Sequence, residues 1–361
     1  MNPSLWLFTL LAVLPVREVR AVDAPPLDAR LFEAVRVHLL ERSSVSVARE
    51  ALAFLDSHPT LRLRVDWTPD PDDEETFASW DREGDAVVLS SAVVAGCGAV
   101  SSSSTLSPSA LRDCAVRVAP YVVHEAAHAE TAAGLPFRVA GNLESELIGW
   151  AYECAFIRAD PRAGGAAALA AGRIWIDELM PASERLNALG ERITGLRKRQ
   201  DELREAGREE EAETAYQEHV RLYRLWEGLR DEVLSREGQA VKRLGSRDEG
   251  LLQQAGALYA YTKGCGKLER YVAALHPVKP RLFAKPAELE EHAAELRRRA
   301  AVLEEACPRI DKSDEQYKAC PVLLASMKEQ LAFWDDPARV EQARRHYLRR
   351  LAAVCPASFT P

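Results

Sequence analysis

Residues 121–130 read YVVHEAAHAE. His124, Glu125 and His128 form H-E-x-x-H inside this stretch. On a helix, positions i and i+4 lie on one face about a turn apart, so two imidazoles can reach one metal ion. Glu125 follows the first histidine, which lets its carboxylate reach a water on that metal. Neutral nitrogen ligands, an open coordination position and a base beside the bound water are what a zinc hydrolase needs. Tyr121-Val122-Val123 precedes the motif, and Ala126, Ala127 and Ala129 lie within or just after it. That setting predicts a closely packed, buried helix rather than a polar surface run.

A third ligand has to come from elsewhere. Gly134 and Pro136 are helix-stopping residues. Beyond them NLESELIGWAYECAF (142–156) reads as a second helix with Asn142 as N-cap. It offers Glu144, Glu146 and Glu153. Over about residues 76–155 the sequence resembles the zincin metallopeptidases of the gluzincin-like group, which bind zinc through His, His and Glu. In that group the ligand Glu lies on a helix, with a small residue three positions on that lets the two helices approach. Glu146 fits, with Gly149 three residues later. Glu144 has Leu147 at that place and is the second choice. Glu153, two turns beyond Glu146, could face the same way, but Glu144 and Glu153 both read more readily as solvated carboxylates. Trp150 occupies a place where relatives often carry an acid that orients a ligand histidine, which leaves the orienting group unassigned.

The resemblance implies a metallopeptidase domain over residues 22–181, with Zn2+ held by His124, His128 and Glu146 and with Glu125 as catalytic base. It also implies a peptide or protein substrate. Relatives bind extended substrate along an edge strand beside the metal, and the strand around Ala86–Ser90 is the candidate here, equally readable as mere core cover. Tyr152, Tyr259, Tyr261 and His276 are candidate oxyanion donors, each also readable as structural. Two other classes compete: a catalytically inactive zinc-binding protein, and a helical scaffold or interaction protein in which HEAAH is accidental.

The rest of the chain predicts an α+β protein, mostly α. LDARLFEAVRVHLLE (27–41) and VSVAREALAFLDSH (45–58) have helical spacing. LRLRVDW (61–67) alternates as a half-buried strand does. After the acidic loop TPDPDDEE (68–75), TFASW and AVVLS flank the turn DREGD and read as a hairpin with Gly84 in the turn. Together these suggest a small antiparallel sheet packed on the motif helix. Pro120 predicts a kink, or a fresh helix start shortly before His124. A further helix is expected from Pro161 to about Met180, with Pro181 marking a boundary.

Residues 182–361 read as a largely helical region. Leu186, Leu189, Ile193, Leu196 and Leu203 keep a 3,4 spacing, as do Ala215, His219, Leu222, Trp226, Leu229 and Val233. This predicts a coiled-coil-like antiparallel hairpin over about 183–244, with its tip near Gly207. It reads as an arm that contacts a protein partner or limits access to a cleft, or, the favoured reading, as a solvated hairpin with a packed seam. Residues 251–275, 286–307 and 314–352 are also helical in pattern.

With 361 residues, 47% hydrophobic and 28% charged, the composition is that of a soluble globular protein. The net charge of −8 gives no support to nucleic acid as a partner. Residues 1–21 read as a signal peptide: Trp6–Val16 is too short to span a bilayer, and Ala21 offers a small residue for cleavage. No other stretch could span a membrane, so the expected location is secreted or periplasmic. Seven cysteines allow up to three disulfides and one leftover thiol. Cys97 with Cys114 is a plausible staple, and Cys307, Cys320 and Cys355 could supply another bridge.

Overall fold

A computed structural model describes residues 26–67, 78–81, 84–99, 101–102, 104–131, 143–160, 162, 166–245, 249–275, 282–309 and 315–355. The signal-like segment, the acidic loop 68–75, Gly134, Pro136, Asn142, Pro161 and His276 lie outside these residues.

Two helices open the described chain, α1 (Leu27–Glu41) and α2 (Ser46–Ser57). Leu27, Leu31, Val35 and Leu39 recur every fourth residue and are buried, which makes one apolar stripe. Each such side chain contributes roughly 1.5–3 kcal/mol by leaving water. The sheet follows, with β1 (Arg62–Asp66), β2 (Ala78–Asp81) and β3 (Ala86–Ser90). Its order is β1-β3-β2. Leu63 pairs with Val87 and Val65 with Leu89, while Trp80 pairs with Val87 from the other side. One face therefore collects Leu63, Val65, Val87 and Leu89, all buried, and the Trp80 ring stands edge-on to Phe54 of α2.

The hairpin β2–β3 is antiparallel as its turn predicts, but the sheet is mixed, because β1 joins β3 in parallel. The alternation in β1 marks a strand without naming its neighbour. The long connection from β1 to β3, which includes β2, lets β1 pair in parallel on the free side of β3. A second correction follows. Ala86–Ser90 is the central strand, paired on both sides, so it has no free edge to offer an extended peptide; the edges of the sheet are β1 and β2.

After the short helix α3 (Ser91–Ala95) comes α4 (Pro108–Thr131), a single helix that runs through Pro120. No fresh start precedes His124. Nearly every residue from Cys114 to Ala129 is buried, so packing on all sides compensates for the donor that Pro120 lacks. The Cys97–Cys114 disulfide ties the preceding loop to this helix. Helix α5 (Leu143–Ala159) packs along α4 and is likewise buried almost all round.

Helix α6 (Ala166–Arg173), a π-helical turn (Ile174–Leu179) and α7 (Met180–Glu205) form one run without a gap. Pro181 does not interrupt it: Leu179 and Met180, just before it, keep helical dihedrals, and the run continues to Glu205. Helix α8 (Glu209–Leu244) folds back on α7 at Gly207, whose φ of +69° is the left-handed conformation glycine adopts freely. Every seam position named from the sequence is buried or half-buried. Leu203, Ala212 and Ala215 close the tip.

Helices α9 (Glu249–Thr262) and α10 (Cys265–Leu275) are separated at Gly264. Then come α11 (Pro286–Ala306), α12 (Glu315–Trp334) and α13 (Pro337–Val354). The stretch 314–352 is thus two helices, broken where Asp336 caps α13 by accepting from Ala338 and Arg339 N–H. Disulfides Cys265–Cys355 and Cys307–Cys320 complete the set, and Cys154 is a buried free thiol. The main core joins residues from Leu27 to Cys355. No helix among the described residues is long and apolar enough to cross a membrane.

Candidate metal centre

Helices α4 and α5 face each other where the motif lies. His124 and His128 sit one turn apart, with ring centroids 4.7 Å from each other. Both turn Nε2 toward Glu146 of α5: His124 Nε2 lies 3.6 Å from Oε2 and His128 Nε2 lies 3.5 Å from Oε1. One ligand atom from each of the three residues falls within 4.8 Å of the others. Ligands about 2.0 Å from a tetrahedral metal stand about 3.3 Å apart. The two histidine–glutamate separations lie near that edge, so the three residues could hold a metal ion.

The opposite ring nitrogens are also held. His124 Nδ1 is 2.9 Å from Glu153 Oε2, and His128 Nδ1 is 2.8 Å from Ser145 Oγ. With Nδ1 protonated, each ring donates to its oxygen partner and presents the Nε2 lone pair. Glu153 Oε1 in turn accepts from Gln254 Nε2 at 2.7 Å, across from α9. The Trp150 ring stands perpendicular to His124 at 5.2 Å. Gly149 makes the helix approach possible, because a Cβ there would lie 2.6 Å from His124 Nε2.

Glu144 and Glu153 are not the solvated carboxylates their helix positions suggested; both are buried, at 5% and 1% exposure. Helix α5 is apolar on nearly every side, so only Glu146 keeps partial access. Glu144 Oε1 accepts from Phe283 N at 3.2 Å, and the ligand cluster contains Glu146 and not Glu144. The tyrosine candidates are engaged elsewhere: Tyr152 donates to Glu50, Tyr259 to Asp177 and Tyr261 to the Val354 carbonyl. An open groove of about 470 Å³ between α11 and α12, lined by Val302, Leu303, Leu323 and Met327, lies apart from the cluster.

Ser145 and Gln254 went unread in the sequence. Ser145 is adjacent to Glu146, but a serine there carries no signal of its own. Gln254 lies 101 positions from Glu153, beyond the reach of any local periodicity.

Burial depresses the His124 imidazolium, but hydrogen bonds to Glu146 and Glu153 outweigh it and raise its pKa well above the ordinary value. Burial pushes Glu146 up, and the two histidines more than reverse this, holding it well below the usual carboxylate range. Glu125 is raised, because burial is only partly offset by His128 and His124. A raised pKa means that the charge on His124 stabilises the metal-free fold below the unfolded imidazole value of about 6.5. The contribution is lost as pH rises through the higher folded value. A metal needs the neutral ring, so binding is expected to release a proton, and affinity should fall as pH is lowered. Calorimetric titration with Zn2+ in buffers of different ionisation enthalpy measures this directly; a heat independent of buffer would contradict it.

Set against protein-family models, curated proteins and solved structures, the chain matches none, so the reading of this centre rests on its own residues.

Proposed function

We propose that this chain is an exported zinc-dependent metallopeptidase of zincin-like type. The observation that carries the reading is the paired orientation of the two histidines. Each Nε2 faces Glu146 while each Nδ1 is fixed from behind by Glu153 or Ser145. Two imidazoles and one carboxylate are a donor set suited to catalytic zinc. Zinc bound there would acidify a water and polarise a peptide carbonyl. Glu125 takes a proton from the attacking water and delivers it to the leaving amine. Its raised pKa makes it a stronger base than a carboxylate in water. The buried Trp150 ring stands against His124 and keeps bulk water from that side of it. Three disulfides support an oxidising compartment and hence export.

Metal content of the purified mature protein tests this reading. About one zinc per chain is expected, lost in His124→Ala and Glu146→Ala and kept in Glu144→Ala. Wild-type protein that holds no zinc after the metal is supplied would overturn the proposal.

A further inference from the structure

We infer that Gln254 is a positioning residue of the metal centre, acting on His124 through Glu153. The inference rests on the proposed metal site and deepens it, because it makes the helical region after residue 182 a contributor to that site.

Glu153 is 1% exposed and has both oxygens engaged, Oε2 with His124 Nδ1 and Oε1 with Gln254 Nε2. The terminal torsion of a glutamate is soft. A single contact to the imidazole would leave the carboxylate free to swing and the ring free to follow. The Gln254 amide supplies the second anchor that fixes the carboxylate plane. Its chemistry suits the task. The ionised carboxylate only accepts, so the amide must present N–H. The amide is also neutral. Arginine or lysine in its place would pair with Glu153 as an ion and weaken its hold on the Nδ1 proton.

The backbone around Gln254 is itself held at a set depth. The next residue, Ala255, presents its carbonyl to Gly172 of α6, where any Cβ would collide with it. One residue further, Gly256 admits the rings of Tyr271 and Trp175. Backbone contact on one side and aromatic packing on the other leave α9 little room to slide. Gln254 is therefore presented to Glu153 by a rigid element, as an orienting residue must be.

The experiment measures Zn2+ affinity by competition with a chromophoric chelator, and the visible spectrum after Co2+ substitution, on the full-length protein. The variants are Gln254→Met, which keeps length and removes the donor; Glu153→Ala; the double variant; and Leu252→Ala. Leu252 lies two residues before Gln254, in a separate small cluster with Ile174 and Ala240, so its truncation tests general loosening of α9. Gln254→Met is expected to weaken Zn2+ binding about tenfold and to shift the Co2+ bands. It should add nothing in the Glu153→Ala background, since its effect passes through that carboxylate. Leu252→Ala should lower the melting temperature and leave affinity and spectrum unchanged. Wild-type affinity and spectrum in Gln254→Met, or equal losses with and without Glu153, would overturn the inference while leaving the metal site standing. Wild type that binds neither ion would overturn both.

Discussion

Glu125→Gln is expected to keep its zinc and lose peptide hydrolysis by about a thousandfold, within the range that removal of a general acid–base group produces. The substitution preserves size and shape. It leaves Glu146, Glu153 and Ser145 in place around the histidines, so nothing that holds the metal is altered. What is lost is a site that can take and return a proton. A second readout should move in the opposite direction. Glu125 is buried and its carboxyl pKa is raised; a group raised in the fold costs stability once pH exceeds the unfolded value, and the cost disappears as pH falls. The amide carries no charge to bury, so the variant should melt higher than wild type at neutral pH and lose that advantage in acid. A gain in stability paired with a loss of activity is the mark of a residue kept for chemistry rather than for folding. Wild-type turnover would remove Glu125 from the mechanism, and loss of zinc would make it part of the metal support instead.

The parts of this centre that follow helical geometry were legible in the sequence. His124 and His128 share a face by their spacing, and the alanines around them announce a buried helix. Glu146 was singled out by the resemblance to zincins, through Gly149 three residues on. Glu153 was half legible: seven residues at 3.6 per turn return within about 20° of Glu146, so the shared face could be read. That its carboxylate is enclosed could not, because enclosure depends on Gln254 from α9 and on the packing of α4. The position where an orienting acid was sought holds Trp150, and the acid stands three residues later. The sheet shows the same limit. A two-residue alternation identifies β1 and the turn identifies β2–β3, but the parallel pairing of β1 with β3 is a long-range choice. Cysteine pairing is another such choice: Cys97–Cys114 and Cys307–Cys320 close short loops, whereas Cys265–Cys355 spans 90 positions.

Gly149→Ala is a mutation for which local and tertiary reasoning give opposite answers. Alanine is favoured over glycine inside a helix by about 1 kcal/mol, and Gly149 lies within α5. Propensity alone predicts a more stable protein. The structure predicts damage, because the new Cβ would lie 2.6 Å from His124 Nε2, 2.8 Å from Cδ2 and 2.9 Å from Cε1. All three atoms belong to a ring that Glu153 anchors on its other edge. The ring cannot retreat without breaking that bond, and α5 cannot back away without carrying Glu146 from the histidines. Overpacking of this kind costs about 1–3 kcal/mol, which outweighs the propensity gain. Metal binding should suffer more than folding, since the displaced atom is a proposed ligand; a loss of about a hundredfold in Zn2+ affinity is expected, at the top of the range for disturbing ligand support. Gly238→Ala provides the contrast, for it lies in α8 with no neighbouring atom within 4 Å of the added methyl. That variant should be more stable by about 0.5–1 kcal/mol and bind Zn2+ as wild type does. If the two alanines behaved alike, the close approach of α5 to His124 would not be what sets the spacing of this site.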